Sequence, residues 1–532
     1  MSEHHEERRD GAGGTGTGGD GGAGSDGTGG GTAGGDGGRG RGGPPALLGI
    51  DLGTSGLKAL LLAEDGTVLG EESAGYAVHA PAPGQAETDP EHWWAATRDA
   101  VGRLRRRLPH VRVRGLCVDG QMHGLVLTDA HGTPTRPAIC WPDQRAGKDL
   151  AAWAALPEAA RARLANPLTP GMYGPLLAWA TRADAAAVHA ARWALLPKDW
   201  LRHRLTDRAA TDPSDASATL LWDVPADDWH TEAVEAAGVD PGLLPPVAAS
   251  GARAGELTRR AAEALGLAPG LPVAVGAGDT PAALLGTGLG PDGAQLTVGS
   301  GAQLVRRLPR LPEPGTPPAP PRTHLYRTAD PHGWYEMAAL QNAGIALDWA
   351  RRLLGASWEE LYATADPRRR PPGAEGVVFL PQLTGERTGP GGARGTWTGM
   401  GLSTTRDHLL QAALEGVAYA LLDVARDLRG GCPPSLLVAG GGTRDPRMRR
   451  LLADVLGATL HRVDTASASA AGAALLAADA AGLPRPPLDA VTGRAAAPEE
   501  PSHWRERRAA GHARYRRYRR LLEEAEPAPA PH

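Results

Sequence analysis

Two aspartates, each set beside small flexible residues at the end of an apolar run, are the groups in this sequence best placed to do chemistry. Asp51 closes the apolar run Ala46–Ile50 and opens the turn Gly53-Thr54-Ser55-Gly56; a second apolar run, Leu57–Leu62, follows, and Asp65-Gly66 marks the next turn. This pattern predicts a β-hairpin with a carboxylate at its first turn. Glycines let backbone N–H groups approach an anion closely, and the hydroxyls of Thr54 and Ser55 add donors. Asp51 stands where a hydrated Mg²⁺ would take an oxygen ligand. Gly53, Thr54 and Ser55 are therefore candidate phosphate-binding residues of a nucleotide site, although an ordinary hairpin with a Gly-rich turn would show the same letters. The second aspartate, Asp279, follows the short apolar strand Pro272–Val275 and the turn Gly276-Ala277-Gly278, and Pro281–Leu285 then reads as a helix start. A carboxylate at such a strand-to-helix turn could accept a proton from a substrate hydroxyl as general base. The alternative is a simple helix N-cap.

Other polar groups cluster after strands, where α/β sheets hold ligands. Val113–Val118 reads as a strand followed by Asp119-Gly120-Gln121-Met122-His123-Gly124. Asp119, Gln121 and His123 could hydrogen-bond the hydroxyls of a polyol while Met122 packs on its carbons; a capped turn with a satisfied histidine is the alternative. Trp141-Pro142-Asp143-Gln144-Arg145 again sets a carboxylate and a guanidinium beside an aromatic, which suits a sugar pocket. Ala294–Leu304 repeats the opening pattern of strand, turn Gly299-Ser300-Gly301 and strand, so the chain reads as a duplicated fold gripping one nucleotide from both sides. Leu436–Ala439 runs into Gly440-Gly441-Gly442-Thr443, where a flat base and ribose could lie against backbone; tight helix packing fits these glycines too.

The elements that must carry these groups follow from apolar spacing and turn chemistry. Asp89-Pro90-Glu91 is a helix start, with Trp94, Val101, Leu104 and Leu108 on one face. Asn166–Asp184 reads as a mostly helical arm. Thr211–Ser217 is dense in helix-cap and turn formers, so its expected role is to hold a loop near the cleft. Val377–Leu380 is a strand, His408–Glu415 part of a helix, Met448–Leu456 a helix and Thr459–Val463 a strand. Ala470–Ala478 is a small-residue helix suited to close packing. Arg514–Leu522 is a helix whose basic run reads as a solvated face.

Composition bounds the rest. The 532 residues carry a formal net charge of −4, so no polyanion partner is implied and no nucleic-acid binding is expected. Cys117, Cys140 and Cys432 lie far apart without metal spacing and read as buried thiols in a reducing compartment. No apolar run approaches the roughly 20 residues needed to span a bilayer, and the polar start has no apolar core of a secretory signal. A cytoplasmic protein is expected. Residues 1–45, rich in Gly, and 525–532 are expected to be disordered tails. The single Phe379 and the wealth of Ala, Gly, Arg and Pro look like coding bias.

Taken together, the chain resembles the FGGY family of carbohydrate kinases from about Leu47 to Leu522. Gly395–Glu415 matches the family's C-terminal signature, and Gln121-Met122-His123-Gly124 matches the sugar motif of its xylulose-phosphorylating members. Leu196-Pro197-Lys198-Asp199, Thr211–Ser217 and Gly385-Glu386-Arg387-Thr388 match further family blocks. The resemblance implies an α/β fold of two actin-like, ribonuclease-H-like domains, 46–289 and 290–524, with a nucleotide and sugar cleft between them. It implies ATP and Mg²⁺ as cofactors, Asp279 as catalytic base and Asp51 as the metal-side carboxylate. A ketose, D-xylulose becoming D-xylulose 5-phosphate, would lie near Gln121, Met122, His123, Asp279 and Thr280. ATP would lie near Gly53–Ser55, Gly299–Gly301 and Gly440–Thr443. A homodimer is compatible with this reading. Asp119 stands where the family often has Ser, Thr280 where Asn is usual, Pro142 where Asn is frequent and Leu176 where Lys is common; Gly299-Ser300-Gly301-Ala302 departs from Gly-Thr-Ser-Gly. Ribulose, a heptulose, gluconate or a glycerol-like polyol are alternative acceptors, and a non-catalytic ATP switch of the actin or chaperone type is the reading from another class.

Overall fold

The opening segment forms the expected hairpin: Pro45–Leu52 pairs antiparallel with Gly56–Ala63, placing Asp51 opposite Lys58. In the computed structural model the described residues are 43–311, 321–383, 394–465, 467–488, 492–494 and 497–525. Most of the Gly-rich start, the block Gly385–Thr388 and residues 526–532 lie outside them.

Two sheets repeat one topology. In the first, Val68–Gly75, Gly56–Ala63 and Pro45–Leu52 run antiparallel, then Arg112–Gly120 and Pro272–Ala274 add parallel strands. In the second, Trp334–Leu340, Ala302–Leu308 and Ala294–Val298 run antiparallel, then Ser435–Ala439 and Thr459–Asp464 add parallel strands. Both hairpins read from the sequence thus occupy the same place in their sheets. Leu47, Leu48, Ile50 and Leu52 are all buried, so the central strand is covered on both faces and reads as an unbroken apolar run rather than an alternating one.

The helix Pro90–Arg107 begins as expected, with Asp89 accepting from the Glu91 N–H at 2.9 Å and Pro90 at its first position. It ends one residue before Leu108, which caps it and is half-buried. The helical arm is narrower than 166–184, with its main helix at Tyr173–Ala183, and the last helix is longer than expected, Arg505–Ala525. Cys117 and Cys140 are buried free thiols; Cys432 is only half-buried. Among the described residues, no helix is long and apolar enough to cross a membrane.

The helix Ala468–Ala480, late in the chain, packs on strands Pro45–Leu52 and Arg112–Gly120 of the first sheet and on the helix Asp279–Gly286. Backbone meets backbone here. A Cβ at Gly472 would lie 1.8 Å from the Ala282 carbonyl oxygen, one at Gly286 1.9 Å from that of Ala468, and one at Gly49 1.9 Å from that of Ala470. Only residues without a side chain allow this approach, which explains the small-residue composition read from the sequence. The late helix is thereby wedged between the first sheet and the helix that carries Asp279.

Candidate functional site

Three carboxylates line up at the end of the first sheet. Asp51 pairs directly with Asp119 across parallel strands, and Asp119 pairs with Ala277, two residues before Asp279. The strand Arg112–Gly120 runs past the expected end at Val118, so Asp119 lies within the sheet rather than in the following turn. It is fully buried, and neither of its oxygens meets a donor among the described residues. Burial pushes the Asp119 carboxyl well above its usual range, and repulsion from Asp51 and Asp279 adds to this. Asp51 is raised by burial against the pull of Lys58. Asp279 is raised by burial, then by Asp51, to about 7, although hydrogen bonds from Thr280 pull the other way. The Thr280 N–H donates to Asp279 Oδ1 at 2.6 Å and its hydroxyl to the same oxygen at 3.2 Å. Asp279 is the first helical residue, with Gly278 as N-cap, so the simple N-cap alternative does not hold.

This row bears on the metal question. Among the described residues no three His, Cys, Asp or Glu side chains form a ready ligand set. A hydrated Mg²⁺ needs only one or two carboxylates and keeps several waters. Asp51 beside the donor-free oxygens of Asp119 fits that need.

The turn after Asp51 is braced from three sides. Gln121 Nε2 donates to the Gly53 carbonyl at 3.2 Å, the Tyr76 hydroxyl donates to the same oxygen, and Trp141 Nε1 donates to Thr54 Oγ1 at 2.9 Å. Trp141, read as part of a sugar pocket, braces the turn after Asp51. Asp143 and Arg145 pair with each other and with a neighbouring segment: Arg145 Nη2 lies 2.8 Å from Asp143 and Nη1 2.6 Å from Glu87, and Asp143 also accepts from the Ala86 N–H at 2.7 Å. They tie two loops together.

Residues after Asp119 face the second half of the chain. Gln121 and Met122 are buried, and Tyr335 from the second sheet donates to Met122 Sδ at 3.8 Å. His123 has φ 77°, a conformation rare outside glycine, and its ring lies 6.0 Å from that of Tyr326. His123 Nδ1 sits 2.8 Å from the Ala218 carbonyl, which can only accept, so that nitrogen carries the hydrogen. The Thr280 hydroxyl also reaches Gln303 Oε1 at 3.4 Å, two residues beyond Gly301. Tyr326, Tyr335 and Gln303 were not legible as site neighbours, because nothing local to their segments marks them.

The two remaining glycine turns meet each other. A Cβ at Gly440 would lie 2.4 Å from the Val298 oxygen and one at Gly442 2.5 Å from Val298 Cγ1, immediately before Gly299. Gly440 needs its φ of 88° to make this turn. Thr443 is fully buried and its hydroxyl closes the turn by donating to the Gly440 oxygen at 3.0 Å. The Gly299 and Ser300 carbonyls accept from Gly344 at 3.1 Å and Ile345 at 2.9 Å, anchoring Gly299-Ser300-Gly301 to the start of the helix Gly344–Leu353. Gly441 and Ser300 remain exposed. A cavity of about 820 Å³ lined by Thr287, Leu289, Arg306, His461 and Arg462 contains none of these residues and borders the starts, not the ends, of strands Ala294–Val298 and Ser435–Ala439.

A duplicated actin-like fold, with acidic groups at the end of its first sheet and glycine turns at the ends of both, fits the class of two-domain sugar kinases. The models of the FGGY carbohydrate kinases match twice, the N-terminal domain over residues 46–286 and the C-terminal domain over 306–481. The chain belongs to this family and is an ATP-dependent sugar kinase. It is 35% identical over 459 residues to the xylulose kinase of Escherichia coli, spanning 83% of this chain and 93% of that protein. It is 33% identical to the xylulose kinase of Streptomyces rubiginosus, over 82% and 88%. The crystal structure of xylulose kinase from Rhodospirillum rubrum matches with a TM-score of 0.81 at 29% identity, covering 90% of this chain and 99% of that one.

Proposed function

We propose that this kinase transfers the terminal phosphoryl group of ATP to the 5-hydroxyl of D-xylulose, with Asp279 as general base. The observation that carries the reading is the placement of Asp279 at a helix start in line with Asp119 and Asp51, half-buried and raised to about 7. A carboxylate with that affinity accepts a hydroxyl proton near neutral pH, where an ordinary aspartate is a poor base. Thr280 donates to Asp279 Oδ1 and so leaves Oδ2 for the sugar hydroxyl. Gln121, Met122 and His123 hold the ketose beside it. Gly53, Thr54 and Ser55, with Gly299, Ser300 and Gly301, supply donors to the phosphates, and Gly440, Gly441, Gly442 and Thr443 shape the adenosine face. Asp51 would hold a hydrated Mg²⁺, whose charge offsets that of the phosphates. Phosphoryl transfer depends mostly on positioning and charge stabilisation, so a preformed row of groups suffices.

The Thr280–Gln303 contact favours a second reading, in which the acceptor is another sugar or polyol. A threonine offers one hydroxyl where the family's usual asparagine offers an amide, and here that hydroxyl already faces Asp279 and Gln303. A panel of D-xylulose, ribulose, a heptulose, gluconate and glycerol, read by coupled ADP release, separates the two. The expected result is the highest kcat/KM for D-xylulose. A higher value for another acceptor overturns the sugar assignment, and ADP release without any phosphorylated acceptor overturns the kinase reaction itself.

A further inference from the structure

We propose that Ser214, Asp212 and Arg202 are positioning residues for Asp279, acting through the backbone of residues 275–278. The inference rests on the reading of Asp279 as general base and extends it to the group that aims it.

Beneath the Asp279 turn lies an ionic cluster sealed from solvent. Lys198, Asp199, Arg202, Asp212 and Asp215 are all fully buried. Lys198 Nζ lies 2.7 Å from Asp199 Oδ1, 3.0 Å from Asp212 Oδ1 and 3.3 Å from Asp215 Oδ2. Burying this much charge is unfavourable compared with an apolar core of the same volume, so bulk stability is a weak reason for its presence. Its contacts suggest a different role, because it reaches the turn at two fixed points. Arg202 Nη1 bridges Asp199 at 2.7 Å and the Val275 carbonyl at 3.0 Å, while Nη2 donates to the Ala210 carbonyl at 2.6 Å. Asp212 Oδ2 accepts from the hydroxyls of Ser214 at 2.6 Å and Ser250 at 2.7 Å. Having donated its proton to Asp212, the Ser214 oxygen can only accept, and the Gly278 N–H donates to it at 3.2 Å.

Gly278 is the N-cap of the helix on which Asp279 is first. Between the two anchors, the Gly276 N–H donates to the Ser250 carbonyl at 2.9 Å, and Gly276 has φ 94° with room for no side chain, since a Cβ would lie 2.1 Å from the Val118 oxygen. The turn is therefore held on both sides of its most demanding residue. A hydrophobic floor would support the turn but give it no direction, whereas hydrogen bonds to one N–H and one carbonyl fix its rotation. Misplacement of a reacting group by about 1 Å is enough to lose about 100-fold in rate.

The test is a set of full-length variants assayed with D-xylulose and with the best acceptor of the panel. Ser214→Ala removes the acceptor, Ser214→Cys keeps the volume with a poor acceptor, and Ser214→Thr restores a hydroxyl. Ser214→Ala and Ser214→Cys should lower kcat about 10- to 100-fold with the KM for ATP nearly unchanged, and Ser214→Thr should recover most of the loss. If Ser214→Ala does not fold, Ser214→Cys carries the measurement. In an Asp279→Asn background the Ser214→Cys change should have little further effect, because the base it aims is gone. A full additional loss in that background, a parallel rise in the KM for ATP, or unchanged kcat in Ser214→Cys overturns the proposal. Near-normal turnover of Asp279→Asn alone overturns the general-base reading instead, so the two failures are distinguishable.

Discussion

Replacing Asp279 by asparagine should make a slower and, above neutral pH, more stable protein. The carboxyl is displaced from an ordinary value of 3.8 to about 7, first by burial and then by the neighbouring charge of Asp51. In the unfolded chain it ionises near its ordinary value. Between the two values the unfolded chain binds fewer protons than the folded one, so stability is fullest below about pH 4, falls as pH rises, and levels off above about pH 7. The gap corresponds to about 4 kcal/mol at pH 8 and to between 1 and 2 kcal/mol, roughly, at pH 5. Asp279→Asn has no such proton to lose. Relative to the parent it should gain about 2–3 kcal/mol in stability between pH 5 and pH 8, measured by urea unfolding without nucleotide or metal. Its turnover should fall by about two to four powers of ten. A pH-independent difference in unfolding free energy would refute the placement of Asp279 in a partly desolvated site beside the charge of Asp51. Near-normal turnover would remove it from the chemistry.

In the parent enzyme, kcat/KM should rise with pH through about 7 as Asp279 ionises, and an acidic limb centred near pH 4 would contradict this. Trp141→Phe removes the donor to Thr54 Oγ1 and should raise the KM for ATP several-fold with a smaller change for the sugar, as initial rates at varied ATP will show. Gly472→Val places carbon where the Ala282 carbonyl already sits and should destabilise by at least about 1–3 kcal/mol, visible as a lowered thermal midpoint. Lys198→Met leaves Asp212 without its cation, while Asp199 keeps Arg202 and burial already holds the Asp215 carboxyl well above its usual range; the variant should lose about 3–5 kcal/mol of stability, and an unchanged thermal midpoint would refute this.

The hairpins at Asp51 and at Gly299–Gly301 were legible because each is written in contiguous residues: an apolar run, a small-residue turn, another apolar run. The strand-to-helix turn at Asp279 and the late small-residue helix were legible for the same reason. Asp143 and Arg145 show the limit, since a carboxylate and a guanidinium near a tryptophan look alike whether they bind a sugar or each other. The pairing of Arg145 with Glu87 depends on a segment 58 residues away in the chain.

From its own letters the sequence determined the two hairpins, the candidate base, the glycine turns and the family, all of which rest on local turn chemistry and on motifs within single segments. Only the tertiary structure decided that Asp119 stands between Asp51 and Asp279, that Ser214 bonds to Gly278, and that Tyr335 and Gln303 come from the second half to Met122 and Thr280. Those contacts depend on strand register and on packing between segments far apart in the chain. A one-residue slip in the pairing of Pro45–Leu52 with Arg112–Gly120 would turn Asp119 to the other face of the sheet while leaving every local signal unchanged.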